Sequence, residues 1–304
     1  MSNLVDNVEQ PCDVMDSCDA IATLLQPKDR DLGGFSVRRL LPTVGVKMLG
    51  PWVFFDHMGP ATFAAGTGIN VRPHPHIGIA TVTYLFEGEI LHRDSLGNTQ
   101  PIRPGDINLM VAGCGITHSE RERPELTASQ HQLHGLQLWF ALPEAQEEIE
   151  PAFYHYPGSQ IPTTTVDGVP VRIMMGQAYG LTSPVKTFSE TLYLEAHLQP
   201  GQRLRLPSVE DLGVYVASGA LQARATQLPP HSMAILHQPE DVEIVATQES
   251  RIAMIGGKRL SPRFIEWNFV SSRKARIEQA KADWRAGRFP KVVGDDVEFI
   301  PLPK

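Results

Sequence analysis

HPHIGIATVTYLFEG (74–88) and PGDINLMVAGCGITHSE (104–120) are the stretches that decide the fold. Both are short runs of β-branched and aromatic residues broken by Gly and Pro, the pattern of strands joined by tight turns. In an extended chain, side chains two apart share a face. His74 and His76 therefore project together, and so do His118 and Glu120. Two such pairs on neighbouring strands of a barrel would bring three imidazoles and one carboxylate to one interior point, a donor set for a divalent first-row metal ion. Continuing the parity of His76 predicts small inward residues, Gly78 and Ala80, and outward Ile77 and Ile79. The turn Gly113-Cys114-Gly115 can bring backbone close to the site. A lone strand histidine is usually a core or surface residue, and the chain has 11. It is the pairing that singles out four residues.

The same texture spreads outward. Turn signals recur from 35 to 142, which predicts a sandwich or barrel over residues 31–145. ALPEAQEEIE (141–150) reads as a short helical or loop connection. A second strand-rich stretch, 169–255, repeats the order of strand, Pro-Gly turn, strand and Gly turn, so 146–304 is expected to hold a second barrel plus a helix and tail. Residues 1–30 read as an arm with a short apolar patch at 20–25. Ser271 or Ser272 is expected to cap a helix over 273–286 whose Ile277, Ala280, Lys281 and Trp284 share a face. The class is all-β, two tandem barrels with a C-terminal helix. In the second barrel His231 and His237 are six apart and no paired arrangement exists, so it is expected to be metal-free.

Composition narrows the functional classes. The 304 residues carry 27 Lys and Arg against 34 Asp and Glu, a net charge of −7, which argues against direct nucleic-acid binding. Twenty-five glycines and 25 prolines favour a turn-rich β architecture over a helical bundle. Three cysteines, Cys12, Cys18 and Cys114, are too few and too odd for a disulfide framework, and the loose Cys12/Cys18 spacing does not suggest a metal site. No secretory signal or membrane-spanning run is visible, so the expected location is cytoplasmic. Covalent pairing of two barrels is compatible with a monomer.

The motifs also resemble a known family. HPHIGIATVTYLFEGEILHRDSLG with PGDINLMVAGCGITHSE is similar to the pirin family of the cupin superfamily. RDLGGFSVRRLLP, GPWVFFDHMGP, HGLQLWFALP and the tail WNFVSSRKARIEQAKADWRAGRF extend the resemblance from about residue 29 to the C-terminus. It implies two cupin barrels of the jelly-roll type, with metal in the first only. It carries the ligand roles to His74, His76, His118 and Glu120, and implies iron as the usual occupant. Ligand type alone admits Cu, Mn, Ni, Co or Zn as well as Fe(II). Glu120 takes the place of the glutamate that most cupins carry four or five residues after the second histidine, where this chain has Ala80 and Thr81. Cys114 departs from the longer side chain, often arginine, of many relatives.

The resemblance implies a dioxygenase that cleaves flavonols such as quercetin, with Glu120 both ligating and accepting the substrate's hydroxyl proton. The alternative it implies is a non-catalytic, iron-dependent regulator that binds a transcription factor or a metabolic enzyme. An isomerase acting on a small polar substrate is a third reading, from the wider superfamily. A flat aromatic substrate needs an apolar wall. Phe54, Phe55, Met58 and Phe63 are candidates, with ordinary core packing as the competing reading. His57 and His92 read as structural or surface residues, and His131 and His134, three apart, are left out of the site.

Overall fold

The computed structural model describes residues 14–15, 21–31, 35–237, 239 and 241–303. Cys12 and Cys18 lie outside them. Among the described residues strands account for 52% and helices for 8%, which makes the fold all-β. Two pairs of antiparallel sheets form two barrels. In the first, a seven-stranded sheet that includes Trp52–Phe63, Ile79–Glu87 and His131–Ala141 faces a four-stranded sheet. That smaller sheet runs in the order Asn70–His76, Ile116–Arg121, Ile90–Asp94, Thr99–Ile102. The second barrel repeats the plan with eight and four strands. No helix among the described residues is long and apolar enough to cross a membrane.

Alternation explains how the strand Ile79–Glu87 serves two cores. Ala80, Val82 and Tyr84 point toward the second barrel and pack in one continuous core with Tyr193, Tyr215, Met233, Ile235 and Ile255. Ile79 points the other way, into the first barrel, against Phe54, Met110 and Trp139. This inverts the predicted parity. The cause is Gly78, at φ +70°, which separates the strand ending at His76 from the one starting at Ile79. A Cβ there would sit 2.0 Å from the Val270 carbonyl oxygen, so only glycine admits this approach of the tail.

The two ends of the chain cross over. Thr23–Leu25 pairs antiparallel with Met233–His237 in the second barrel, and Ile21 and Leu24 are buried in that barrel's core. The C-terminal helix, Lys274–Arg285, packs instead on the first barrel, where Trp267, Phe269, Ile277, Ala280 and Ile300 share a core with Met58, Phe63 and Ile77. The first sheet also reaches past residue 145, because Ala152–Tyr156 pairs with Ile107–Val111.

The expected serine cap is not formed. Arg273 occupies the N-cap without a side-chain bond. Ser271 and Ser272 hydroxyls donate to the buried Glu147 carboxylate, at 3.1 and 2.9 Å, and Arg263 pairs with the same group. The connection 141–150 is thus not a free linker. It holds a 3-10 turn, Glu144–Gln146, and the carboxylate that pins the tail.

Candidate metal centre

His74 and His76 stand on Asn70–His76 and His118 on the adjacent Ile116–Arg121, with His118 directly opposite His74 in the register. All three imidazoles are at most 1% exposed. Each offers a nitrogen within 4.8 Å of the others, the one group of this kind among the described residues.

The proton positions follow from the partners. His74 Nδ1 donates to the Arg72 carbonyl at 2.8 Å, and His76 Nδ1 donates to the Asn268 carbonyl at 3.1 Å. A carbonyl only accepts, so Nε2 of each ring carries a lone pair. The Nε2 atoms of His74, His76 and His118 are all buried without a hydrogen-bond partner among the described residues. Three orphaned ring nitrogens at one point would cost several kcal/mol unless something fills the gap. Burial pushes His74 down to about 3, and His76 and His118 well below the ordinary imidazole value, so the rings stay neutral. Neutral, buried and convergent imidazoles fit a divalent ion.

Glu120 is 1% exposed on the strand of His118 but is not part of the close three-histidine group. The pairing with Asn70–His76 shifts between His118 and Glu120, two residues on this strand against three on the partner, while the pairing with Ile90–Asp94 stays regular, so His118 and Glu120 keep a common face. On its other edge Glu120 lies opposite His92.

The predicted aromatic wall divides. Phe54 stacks on Trp139 at 3.9 Å, and Trp139 meets the His76 ring edge-on at 4.8 Å, which places Phe54 behind the centre. Phe55 belongs to the core between the barrels, and Met58 and Phe63 to the core under the C-terminal segment. Ordinary packing accounts for those three.

Sequence reasoning missed His92. Its Nδ1 lies 3.4 Å from His118 Nδ1 and its Nε2 3.0 Å from Asp94, so it stands directly behind a candidate ligand. The signal was available, since His92 and Asp94 form another i, i+2 pair. The buried His57 and the half-buried His134 lie elsewhere, 2.7 Å apart between the barrels. The Gly113-Cys114-Gly115 turn makes its close contacts with the 141–150 connection and the C-terminal helix. A Cβ on Gly113 would meet the Ile149 carbonyl at 1.9 Å, and Arg276 of the C-terminal helix donates to the Cys114 carbonyl at 2.6 Å.

Residues 34–140 match the family model Pirin, and residues 193–290 match Pirin C-terminal cupin domain. A pirin-like protein of Caulobacter vibrioides is 44% identical over 288 residues, covering 93% of this chain and all of its own. The chain belongs to the pirin family. Human pirin is 32% identical, with 83% of this chain and 87% of that protein covered. Among solved structures, a quercetin 2,3-dioxygenase from Acinetobacter baumannii superposes with a TM-score of 0.86 at 32% identity, covering 92% and 94% of the two chains. The two-barrel pirin architecture is therefore shared along nearly the whole length.

Proposed function

We propose that this pirin is a metal-dependent dioxygenase that opens flavonol-like aromatic substrates. The observation that carries the reading is the convergence of three buried, neutral imidazoles whose Nε2 atoms have no hydrogen-bond partner among the described residues. The likeness to the Acinetobacter baumannii quercetin 2,3-dioxygenase supports the substrate class. His74, His76 and His118 would hold the ion, with Glu120 as fourth ligand. A bound divalent ion, Fe(II) in the family's usual case, would supply Lewis acidity toward a substrate bearing adjacent hydroxyl and carbonyl oxygens and the redox chemistry that oxygen needs.

The protein's own share is orientation and proton handling. The Arg72 and Asn268 carbonyls fix two imidazoles at Nδ1, so neither ring can turn away. Burial keeps the rings neutral and excludes bulk water from the ligand atoms. The Glu120 carboxylate accepts the proton of the substrate hydroxyl, which leaves an electron-rich enolate for oxidation.

Anaerobic reconstitution with Fe(II), followed by quercetin and oxygen, tests this. Loss of the flavonol absorbance with release of carbon monoxide is expected, abolished in His76→Ala and lowered at least 100-fold in Glu120→Ala. One iron per chain with quercetin left intact would overturn the enzymatic reading and favour a regulator whose partner is a protein. No bound ion would overturn both.

A further inference from the structure

Two of the three candidate ligands are fixed by a backbone carbonyl, which can only accept. His118 is different, because its Nδ1 faces another imidazole nitrogen, His92 Nδ1 at 3.4 Å. Such a pair is ambiguous, since either ring could carry the proton. If His92 carried it on Nδ1, the His118 proton would sit on Nε2 and block the ion. Something must decide.

We propose that Asp94 and His92 are positioning residues that set the tautomer of His118. Asp94 is 0% exposed, and its Oδ1 accepts the backbone N–H groups of Leu96 and Asn98 at 2.9 and 3.0 Å. Its Oδ2 lies 3.0 Å from His92 Nε2, and a carboxylate there accepts. The His92 proton is therefore on Nε2, and its Nδ1 is left as an acceptor. His118 must donate from Nδ1 to that atom, which leaves its Nε2 bare toward His74 and His76. His92 is held for this task by stacking on Phe153, with ring centroids 4.4 Å apart and planes at 19°. The order Asp94, His92, His118 thus passes a hydrogen-bond polarity, with no net proton movement, from a carboxylate to the ion.

This inference rests on the metal-centre reading, but it can be tested apart from it. In Asp94→Asn the two backbone donors keep the amide oxygen at the Oδ1 position, so the NH2 group faces His92. His92 Nε2 must then accept, its proton moves to Nδ1, and His118 is driven to the Nε2–H tautomer. In metal-free wild type, nitrogen-15 NMR above the imidazole titration range should show His92 as Nε2–H and His118 as Nδ1–H. In Asp94→Asn both should invert, and Co(II) affinity should fall about 10–100-fold. His92→Phe keeps the stack on Phe153 but removes the acceptor. It should leave His118 as a tautomer mixture with a smaller loss of affinity.

The opposite tautomers in wild type, or an Asp94→Asn protein with unchanged tautomers and Co(II) affinity within twofold, would overturn the assignment. Should a variant fail to fold, the wild-type spectrum alone still decides. A wild type that binds no Co(II) overturns the metal reading instead, while the tautomers decide the relay.

Discussion

At the residue scale, Gly78 is where the tail and the ligand strand are locked together. Its φ of +70° and its contact with the Val270 carbonyl leave no room for a side chain. Strain in the left-handed region costs about 1–3 kcal/mol for a non-glycine residue, before any displacement of the tail is counted. Gly78→Ala is expected to lower the thermal midpoint by several degrees. It should also weaken metal binding, because His76 is two residues away and leans on Asn268. Calorimetry of the metal-free and Co(II)-loaded protein checks both, and the gap between the two midpoints should narrow in the variant.

At the scale of elements, the candidate ligand strands were legible because their signal is local. His74 with His76, and His118 with Glu120, declare a shared face by spacing alone. His92 and Asp94 carry the same spacing, yet a histidine beside a charged residue reads equally well as surface. Only the antiparallel pairing of Ile90–Asp94 with Ile116–Arg121 puts them behind the site. The helix of the tail was legible from its spacing, but the contact the tail makes with the site was not. The bond from His76 to the Asn268 carbonyl spans 192 residues and leaves no periodic trace in the sequence. Glu147 is a similar case, because an acidic run reads as solvated until Arg263, Ser271 and Ser272 are found around it. The Arg263 and Glu147 side chains are only 1% and 2% exposed. Removing one partner of such a pair strands the other, at about 3–5 kcal/mol. Glu147→Ala should lower the unfolding free energy by that order, and hydrogen exchange should show the helix Lys274–Arg285 deprotected well beyond the other elements.

At the scale of the whole molecule, the two barrels meet through a shared apolar core and a small polar cluster. His57 Nδ1 lies 2.6 Å from the Tyr215 hydroxyl across the seam, and His57 Nε2 lies 2.7 Å from His134. Burial pushes His57 down to about 2 and His134 to about 4, with Arg38 and Arg251 adding to the effect on His134. Both titrate near 6.5 once unfolded. Below that pH the unfolded chain binds protons that the folded chain refuses. The stability is therefore complete above about 6.5 and is lost as pH falls toward 4 and below. In the metal-free protein the unfolding midpoint should drop between pH 7.5 and 5. His134→Gln should flatten that dependence, and a variant as steep as wild type would rule His134 out as a contributor.

The crossing of the two chain ends changes what counts as half of this protein. An early strand, Thr23–Leu25, completes the second barrel, while a segment beyond that barrel, at Asn268 and Val270, supplies the carbonyl that orients His76 and the backbone that closes over Gly78. A ribosome that has just added Glu120 has delivered all four candidate ligands, but not the arrangement that makes them a site. That arrangement arrives some 150 residues later, after the entire second barrel has emerged. Synthesis thus has a built-in delay between making the ligands and arming them, and the two barrels are better understood as one knot of mutual dependence than as modules that gene fusion could trade apart.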